Sequence, residues 1–454
     1  MYKMVEKNNF YDVIVVGGGP AGVISAVTLK KLSPEKKVLL IKSVGDGVIP
    51  CGIPYMFKTL KKPEDNAMGN APLDKNNVEL KVDEVTEINK KEKRVFTEGR
   101  EVFSYKKLVL AVGSNPIVPP IPGVDKKGVY CVKKQLSYLK KLSSDIKKSK
   151  DVVIIGGGFI GVEFADELSK IKGLKVSLVE LLPEVLSNSF DREFSVQASE
   201  CLKESGVNVY TGVKAREIKG EKKVSSVLLS DGVEIKADLV ILGIGSSANV
   251  SLAESCGLKT NDFGICVDKF LRTSDKDIFA VGDCCEKKSF FSKKNCGVML
   301  ASTATTEARI AARRLSNYRV LKNDGTIACY STKINSLSLG SSGLTEKTAV
   351  EEGFKIIKGV AECPDKHPGK LPGCSMMKVK LVFSERDKKL IGGQVSGGDS
   401  VGEMINVVSL LIQEGFSLDE IDSLQIATHP KLTPAPTIYP IISAAQSALE
   451  SLRK

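Results

Sequence analysis

The sequence predicts an α/β chain in which two parallel-sheet units are followed by a smaller α+β domain. Three observations predict it. An apolar strand, a glycine turn, a helix and a second apolar strand run from YDVIVVGGGPAG to KVLLIK. The same pattern returns from DVVIIGGGFIG to LKVSLVE. From about residue 326 the texture changes. There, segments such as MKVKLVFSERDKKLIGGQVSG alternate apolar and polar residues between turn residues, as antiparallel strands do.

The first glycine turn sets Gly17, Gly19 and Gly22 in the spacing G-x-G-x-x-G, with Pro20 and Ala21 between the last two. Gly17 permits the tight turn, Gly19 lets the backbone approach a pyrophosphate, and Gly22 allows the helix to pack on the strand. The free N–H groups and dipole at the helix N-terminus favour the phosphate charge. A lone G-x-G-x-x-G is a weak signal; strand, glycines, helix and second strand in order make it a specific one. The unit departs from the pattern at the end of its second strand, where Lys42 and Ser43 stand in place of the usual acid. A lysine cannot accept from ribose hydroxyls, but it can pair with a phosphate or stack over an adenine.

The second turn carries Gly156, Gly158 and Gly161, with Phe159 and Ile160 between the last two. Its second strand ends in Glu180, where an acid takes the ribose hydroxyls. That charge repels a 2′-phosphate, so NADH is expected rather than NADPH. Four further segments complete the units. YKKLVLAVGSNP is a strand ending about Ala111 and Gly113, and ADLVILGIGSSANV is its counterpart about Gly243 and Gly245. TSDKDIFAVGDCCE places Gly282 and Asp283 after an apolar strand, and MLASTATTEARIAARRL reads as a helix that includes Ala301.

Composition excludes several classes. The 454 residues suffice for three domains. No run of about 18 apolar residues is present, so no membrane span is expected. The N-terminal MYKMVEKNNFYD is polar and lacks a signal-peptide core, so a cytoplasmic location is expected. The eleven cysteines are scattered without C-x2-C pairs and read mostly as free thiols. With only His367 and His429 available, no metal cage is expected. The net charge of +12 comes from spread lysines without interleaved aromatics, which argues against a nucleic-acid partner.

Together these residues resemble the pyridine nucleotide–disulfide oxidoreductase family over essentially the whole chain. The segment VIPCGIPY, residues 48–55, is similar to the Cys-Gly-x-Pro-Tyr of its single-cysteine branch, which holds NADH oxidases, NADH peroxidases and reductases of coenzyme A disulfide or polysulfide. The resemblance implies two Rossmann-like dinucleotide-binding domains, for FAD and NAD, plus a C-terminal α+β dimerisation domain. The FAD domain would comprise residues 1–115 and 248–325, the NAD(P)H domain 116–247 and the dimerisation domain 326–454 of a homodimer. Asp283 would bind the ribityl chain, and the helix at Ala301 would face the flavin pyrimidine ring.

Cys51 would lie beside the flavin. Dithiol members carry a partner cysteine five positions earlier, where this chain has Asp46. Cys51 is therefore expected to act alone, through a sulfenic acid, a persulfide or a mixed disulfide.

The resemblance extends to further positions. Phe159 stands where relatives have an aromatic gate over the flavin; a core aromatic is the open alternative. Glu163 matches a helix Glu near the nicotinamide, but the position of its lysine partner is Pro54, which leaves a plain helix Glu open. His429-Pro430 matches a His-Pro that reaches the redox cysteine across the dimer, although the Glu that orients it is here Pro434. A histidine titrating near neutrality suits acid/base work, and a structural role stays open. Tyr439 is a further candidate, since related coenzyme A disulfide reductases use tyrosines of this domain. His367 reads as a loop residue.

Peroxide-handling relatives place a histidine where this chain has Pro20. A small-molecule sulfur acceptor is thus expected: coenzyme A disulfide, a persulfide or a polysulfide. The alternative is an NADH oxidase that reduces O2 with Cys51 as sulfenic acid. A reductase of a small electron-transfer protein and a flavin-bound sensor are the remaining rivals.

Overall fold

Strands buried on both faces read as continuous apolar runs, and the first such run forms the strand Phe10–Val16 at the centre of a mixed sheet, parallel with both of its neighbours. The computed structural model describes residues 9–319 and 321–453, so the polar N-terminal stretch lies, through residue 8, outside the described residues. Phe10–Val16 pairs in parallel with Val38–Lys42 on one side and Val102–Leu110 on the other. Glu79–Val82 extends one edge, and Arg94–Thr97 and Val85–Asn89 extend the other. The strand Ile278–Ala280 joins the same sheet far along the chain, in parallel with Val102–Leu110.

Between those two visits the chain builds a second sheet, entirely parallel. Its order is Asn208–Tyr210, Lys175–Val179, Asp151–Ile155, Leu239–Leu242 and Val129–Cys131. A short antiparallel pair, Ser114–Pro116 with Ser246–Ala248, links the outgoing and returning chain. In each unit the glycine turn follows the central strand at its C-terminal end. Ligands of open parallel sheets bind in the crevice outside those strand ends.

The C-terminal third forms an antiparallel sheet in the order Tyr330–Ile334, Leu337–Gly343, Leu390–Gly397, Met376–Ser384 and Ile356–Pro364. Helices Val401–Glu414 and Pro440–Ser451 bury their apolar faces in the core beside it. The fold is thus the α/β arrangement with a C-terminal α+β domain that the sequence predicts.

The C-terminal sheet is tied to the second unit by polar contacts. Lys380, 1% exposed, donates its ammonium to Asp191 and Glu193 at 2.8 and 2.6 Å and to Glu346. These three carboxylates have the spacing of a metal site, and the lysine supplies the positive charge among them. Asn335 N–H donates to the Asp166 carboxylate at 2.9 Å. Among the described residues no helix is long and apolar enough to cross a membrane.

Candidate functional site

Both glycine turns open into one cavity of about 2040 Å³, which is also lined by the Cys51 turn and by the first strand of the C-terminal sheet. In the first turn, Gly17 has φ +114°, and a Cβ there would lie 2.1 Å from the Ala111 carbonyl oxygen. A Cβ on Gly22 would lie 1.9 Å from the Gly17 oxygen. Gly19, by contrast, faces open space. The second turn repeats this. Gly156 has φ +108°, Gly161 would drive a Cβ to 1.8 Å from the Gly156 oxygen, and Gly158 is open.

Helices Pro20–Leu32 and Phe159–Ser169 start at Gly19 and Gly158 with no side-chain cap and no acid in the first turn. Their first N–H groups are thus free for an anion. Two cradles of this kind fit the pyrophosphates of two dinucleotides.

The side chains across the two turns differ. Lys42 is buried, its methylenes cover Gly18, and its ammonium donates to Asn70 Oδ1 at 2.9 Å. Its charge is turned into its own unit, and Ser43 lines the cavity beside it. Glu180 covers Gly157 and accepts from the N–H groups of Gly157 and Leu182 at 2.5 and 2.7 Å. Its carboxylate is held at the cavity wall.

Asp283, Gly282, Gly113, Gly245, Ala301, Pro20, Ala21 and Ile160 also line the cavity. The Asp283 carboxylate accepts from Ser114 Oγ at 3.1 Å and from Lys134 Nζ at 3.3 Å. Lys134 escaped the sequence reading. It sits in an ordinary lysine pair, and only the fold brings it to Asp283.

Cys51 lies on the turn Pro50–Gly52, exposed at the cavity wall. The loop is pinned by Asn66, which is 3% exposed and exchanges hydrogen bonds with Ile49: the amide donates to the Ile49 carbonyl, and the Asn66 carbonyl accepts from Ile49 N–H. Asp46, at the place of a second thiol, accepts from Ser137 N–H at 2.9 Å. It fastens the Cys51 loop to the helix Leu136–Ile146 of the second unit. Burial raises the Cys51 thiol pKa, Glu163 and Asp283 raise it further, and Lys134 lowers it.

Glu163 faces the same cavity and accepts from Thr332 Oγ1 at 2.8 Å. Its pKa is pushed up to about 7, chiefly by burial and in part by Asp166, against the Thr332 hydrogen bond. Among the described residues no lysine forms an ion pair with it, and the Thr332 hydroxyl is its hydrogen-bond donor. Phe159 stacks on Tyr330, with ring centroids 5.0 Å apart and planes at 17°, and meets Phe190 edge-on. Both ring contacts keep Phe159 packed while it lines the cavity. Tyr330 and Thr332 were missed because they belong to a strand of the C-terminal sheet, distant in sequence.

His429 and Tyr439 do not line this cavity in their own chain. His429 is exposed, and its Nδ1 accepts from Lys431 N–H at 3.3 Å. His367 props this segment: its N–H donates to the Pro430 carbonyl at 3.1 Å, and its Nδ1 lies 3.0 Å from the Thr433 carbonyl oxygen. Tyr439 is half-buried against the C-terminal core, and that burial raises its hydroxyl pKa.

Comparison with known proteins is consistent with this geometry. The family model described as pyridine nucleotide-disulphide oxidoreductase matches residues 11–308, and the corresponding dimerisation-domain model matches residues 330–438. An NADH oxidase of Methanocaldococcus jannaschii is 30% identical over 451 residues, covering 97% of this chain and 99% of that protein. An NAD(P)H coenzyme A polysulfide/persulfide reductase of Pyrococcus horikoshii is 30% identical, covering 93% and 95%. Among solved structures, an NAD-dependent persulfide reductase from A. fulgidus superposes with a TM-score of 0.90 at 27% identity, covering 97% of this chain and 83% of that one.

Proposed function

Because the chain belongs to the pyridine nucleotide-disulphide oxidoreductase family, we propose that it passes two electrons from NADH through FAD to a sulfur acceptor bound at Cys51. The observation that carries this reading is the placement of a solitary, exposed Cys51 on the cavity shared by both glycine cradles, with Asp46 where a second thiol would stand. The likeness to a coenzyme A polysulfide/persulfide reductase supports the acceptor class.

Each part of the site then has a task. The first turn, with Asp283, holds FAD; the second holds the nicotinamide cofactor. Glu180, fixed by two N–H groups, accepts from the ribose hydroxyls and repels a 2′-phosphate, which favours NADH over NADPH. Bound FAD supplies hydride acceptance from the reduced nicotinamide and two-electron delivery to sulfur. Lys134 opposes the burial and the Glu163 and Asp283 charges that together raise the Cys51 thiol, so it favours the thiolate that reacts. The thiolate attacks one sulfur of the acceptor disulfide, forms a mixed disulfide and expels the other sulfur as a thiolate. Two electrons then return the mixed disulfide to the Cys51 thiolate and a second free thiolate, and each released thiolate takes up a proton.

In a homodimer, His429 is presented to the neighbouring subunit. There its imidazolium form gives a proton to a leaving thiolate and is reprotonated from solvent, to which the side chain is exposed.

Cys51→Ser tests the reading. Reduction of coenzyme A disulfide or polysulfide is lost, while NADH-to-dye transfer persists. Intact sulfur reduction in the variant sinks the role of Cys51. A second reading, O2 reduction with Cys51 as sulfenic acid, is favoured by the likeness to an NADH oxidase along nearly the whole chain. The ratio of NADH turnover with O2 to that with coenzyme A disulfide decides between them.

A further inference from the structure

Beneath the turn that carries Asp283 lies a buried ion pair for which the chemistry above has no use. Lys287 and Glu307 are 4% and 1% exposed, with charged atoms 3.2 Å apart. They meet on one residue of the turn. Glu307 Oε2 accepts from Gly282 N–H at 2.9 Å, and Lys287 Nζ donates to the Gly282 carbonyl at 2.6 Å, beside a bond from Cys285 N–H. Gly282 has φ +77°, and a Cβ there would lie 2.8 Å from the Ala21 side chain. A left-handed residue squeezed against the first helix has no regular ladder to hold it, and its polar groups are held by the pair instead.

Stability alone does not call for this arrangement. Burying two charges carries a large desolvation cost, and a well-packed apolar pair is often as stable or more so. Nor is the bridge closed: Glu307 Oε1 is buried with no partner among the described residues. Lys287 turns its remaining donors to the Cys285 carbonyl at 2.8 Å and the Cys285 sulfur at 3.3 Å. A pair kept for strength would satisfy both carboxylate oxygens. A pair kept for the geometry of one turn needs only Oε2.

We propose that Lys287 and Glu307 are positioning residues for the bound flavin, gripping the N–H and carbonyl of Gly282 so that Asp283 presents its carboxylate to the cavity at a fixed height and direction. This rests on the Asp283 turn being flavin-binding, and wild-type protein that binds no FAD overturns both.

The test uses flavin-free protein of the wild type, Lys287→Met, Glu307→Gln and the double variant. Each is titrated with FAD and melted without it. Each single variant leaves a buried charge unpaired, so Tm falls and FAD binding weakens by about tenfold or more. In the double variant both charges are gone and Tm recovers, yet FAD binding stays weakened by about tenfold, because Met cannot hold the Gly282 carbonyl. FAD affinity that recovers together with Tm overturns the proposal and reduces the pair to a structural bridge. A second measurement repeats the Lys287→Met titration in an Asp283→Asn background. The two losses do not add if the pair acts through Asp283, and full additivity overturns the proposal.

Discussion

The two glycine turns share a backbone and differ in the side chain laid across it. Gly17 and Gly156 have φ of +114° and +108°. The starting residues of the two helices, Gly19 and Gly158, have φ of −76° and −75°. Lys42 crosses the first turn with its methylenes and turns its charge away to Asn70. Glu180 crosses the second and folds its carboxylate back onto the Gly157 N–H of the turn and the Leu182 N–H beyond its own strand. On the function proposed above, the backbone sets what part of a dinucleotide is gripped, and the crossing residue sets which dinucleotide is accepted.

Separate turns should fail separately. Gly17→Ala and Gly156→Ala each impose left-handed strain of about 1–3 kcal/mol in addition to a clash with a carbonyl oxygen. The first variant is expected to lose FAD and its yellow colour. The second is expected to stay yellow while its KM for NADH rises by roughly tenfold to a hundredfold. Loss of flavin in Gly156→Ala would break the separation.

A smaller effect is expected from Glu180→Lys, which copies the charge of the first turn onto the second. The kcat/KM ratio of NADH to NADPH falls by about tenfold to a hundredfold, with FAD content unchanged. An unchanged ratio would show that the crossing residue does not select the dinucleotide.

Glu163 sharpens the comparison further, because the first helix has no acid in the corresponding turn. Burial raises its carboxyl from 4.5 to about 7. The folded chain thus keeps a proton that the unfolded chain releases between those values. Its contribution to stability falls as pH rises from about 4.5 to about 7 and then levels off. Glu163→Gln removes that slope while keeping an acceptor for Thr332. Its Tm relative to the wild type should be more favourable at about pH 8 than at about pH 4, and an equal difference at both would place the charge elsewhere. The smallest effect is expected from Lys42→Met, which gives up the hydrogen bonds to Asn70 and the Gly45 carbonyl, each worth about 1 kcal/mol or less, and changes FAD affinity by less than about tenfold in an equilibrium titration.

Much of this site is legible in the sequence because its chemistry is local. Strand, glycines and helix are consecutive, so the turns at Gly17 and Gly156 and the acid at Glu180 announce themselves. The Cys51 loop does too, since its proline and glycines surround the thiol. Contacts that join distant parts of the chain are not legible in this way. Glu163 and Thr332 are 169 residues apart, and Lys134 is 149 from Asp283. A threonine in an alternating strand and a lysine among many lysines carry no mark of these partners. The same holds for Lys287 and Glu307, whose types suggest a solvated surface and whose place is the interior. Asp46 was readable as an absence, a missing thiol, while its task as an anchor for Ser137 was not.

The strand Tyr330–Ile334 has a bearing on how this molecule can be recombined. A chimera spliced near residue 326, at the change of texture, would part Phe159 from Tyr330, Glu163 from Thr332 and Asp191 from Lys380 in a single cut. Such a hybrid keeps every glycine of both turns and still mismatches the cavity wall around Phe159 and Glu163. The second sheet and the C-terminal sheet therefore have to be exchanged together.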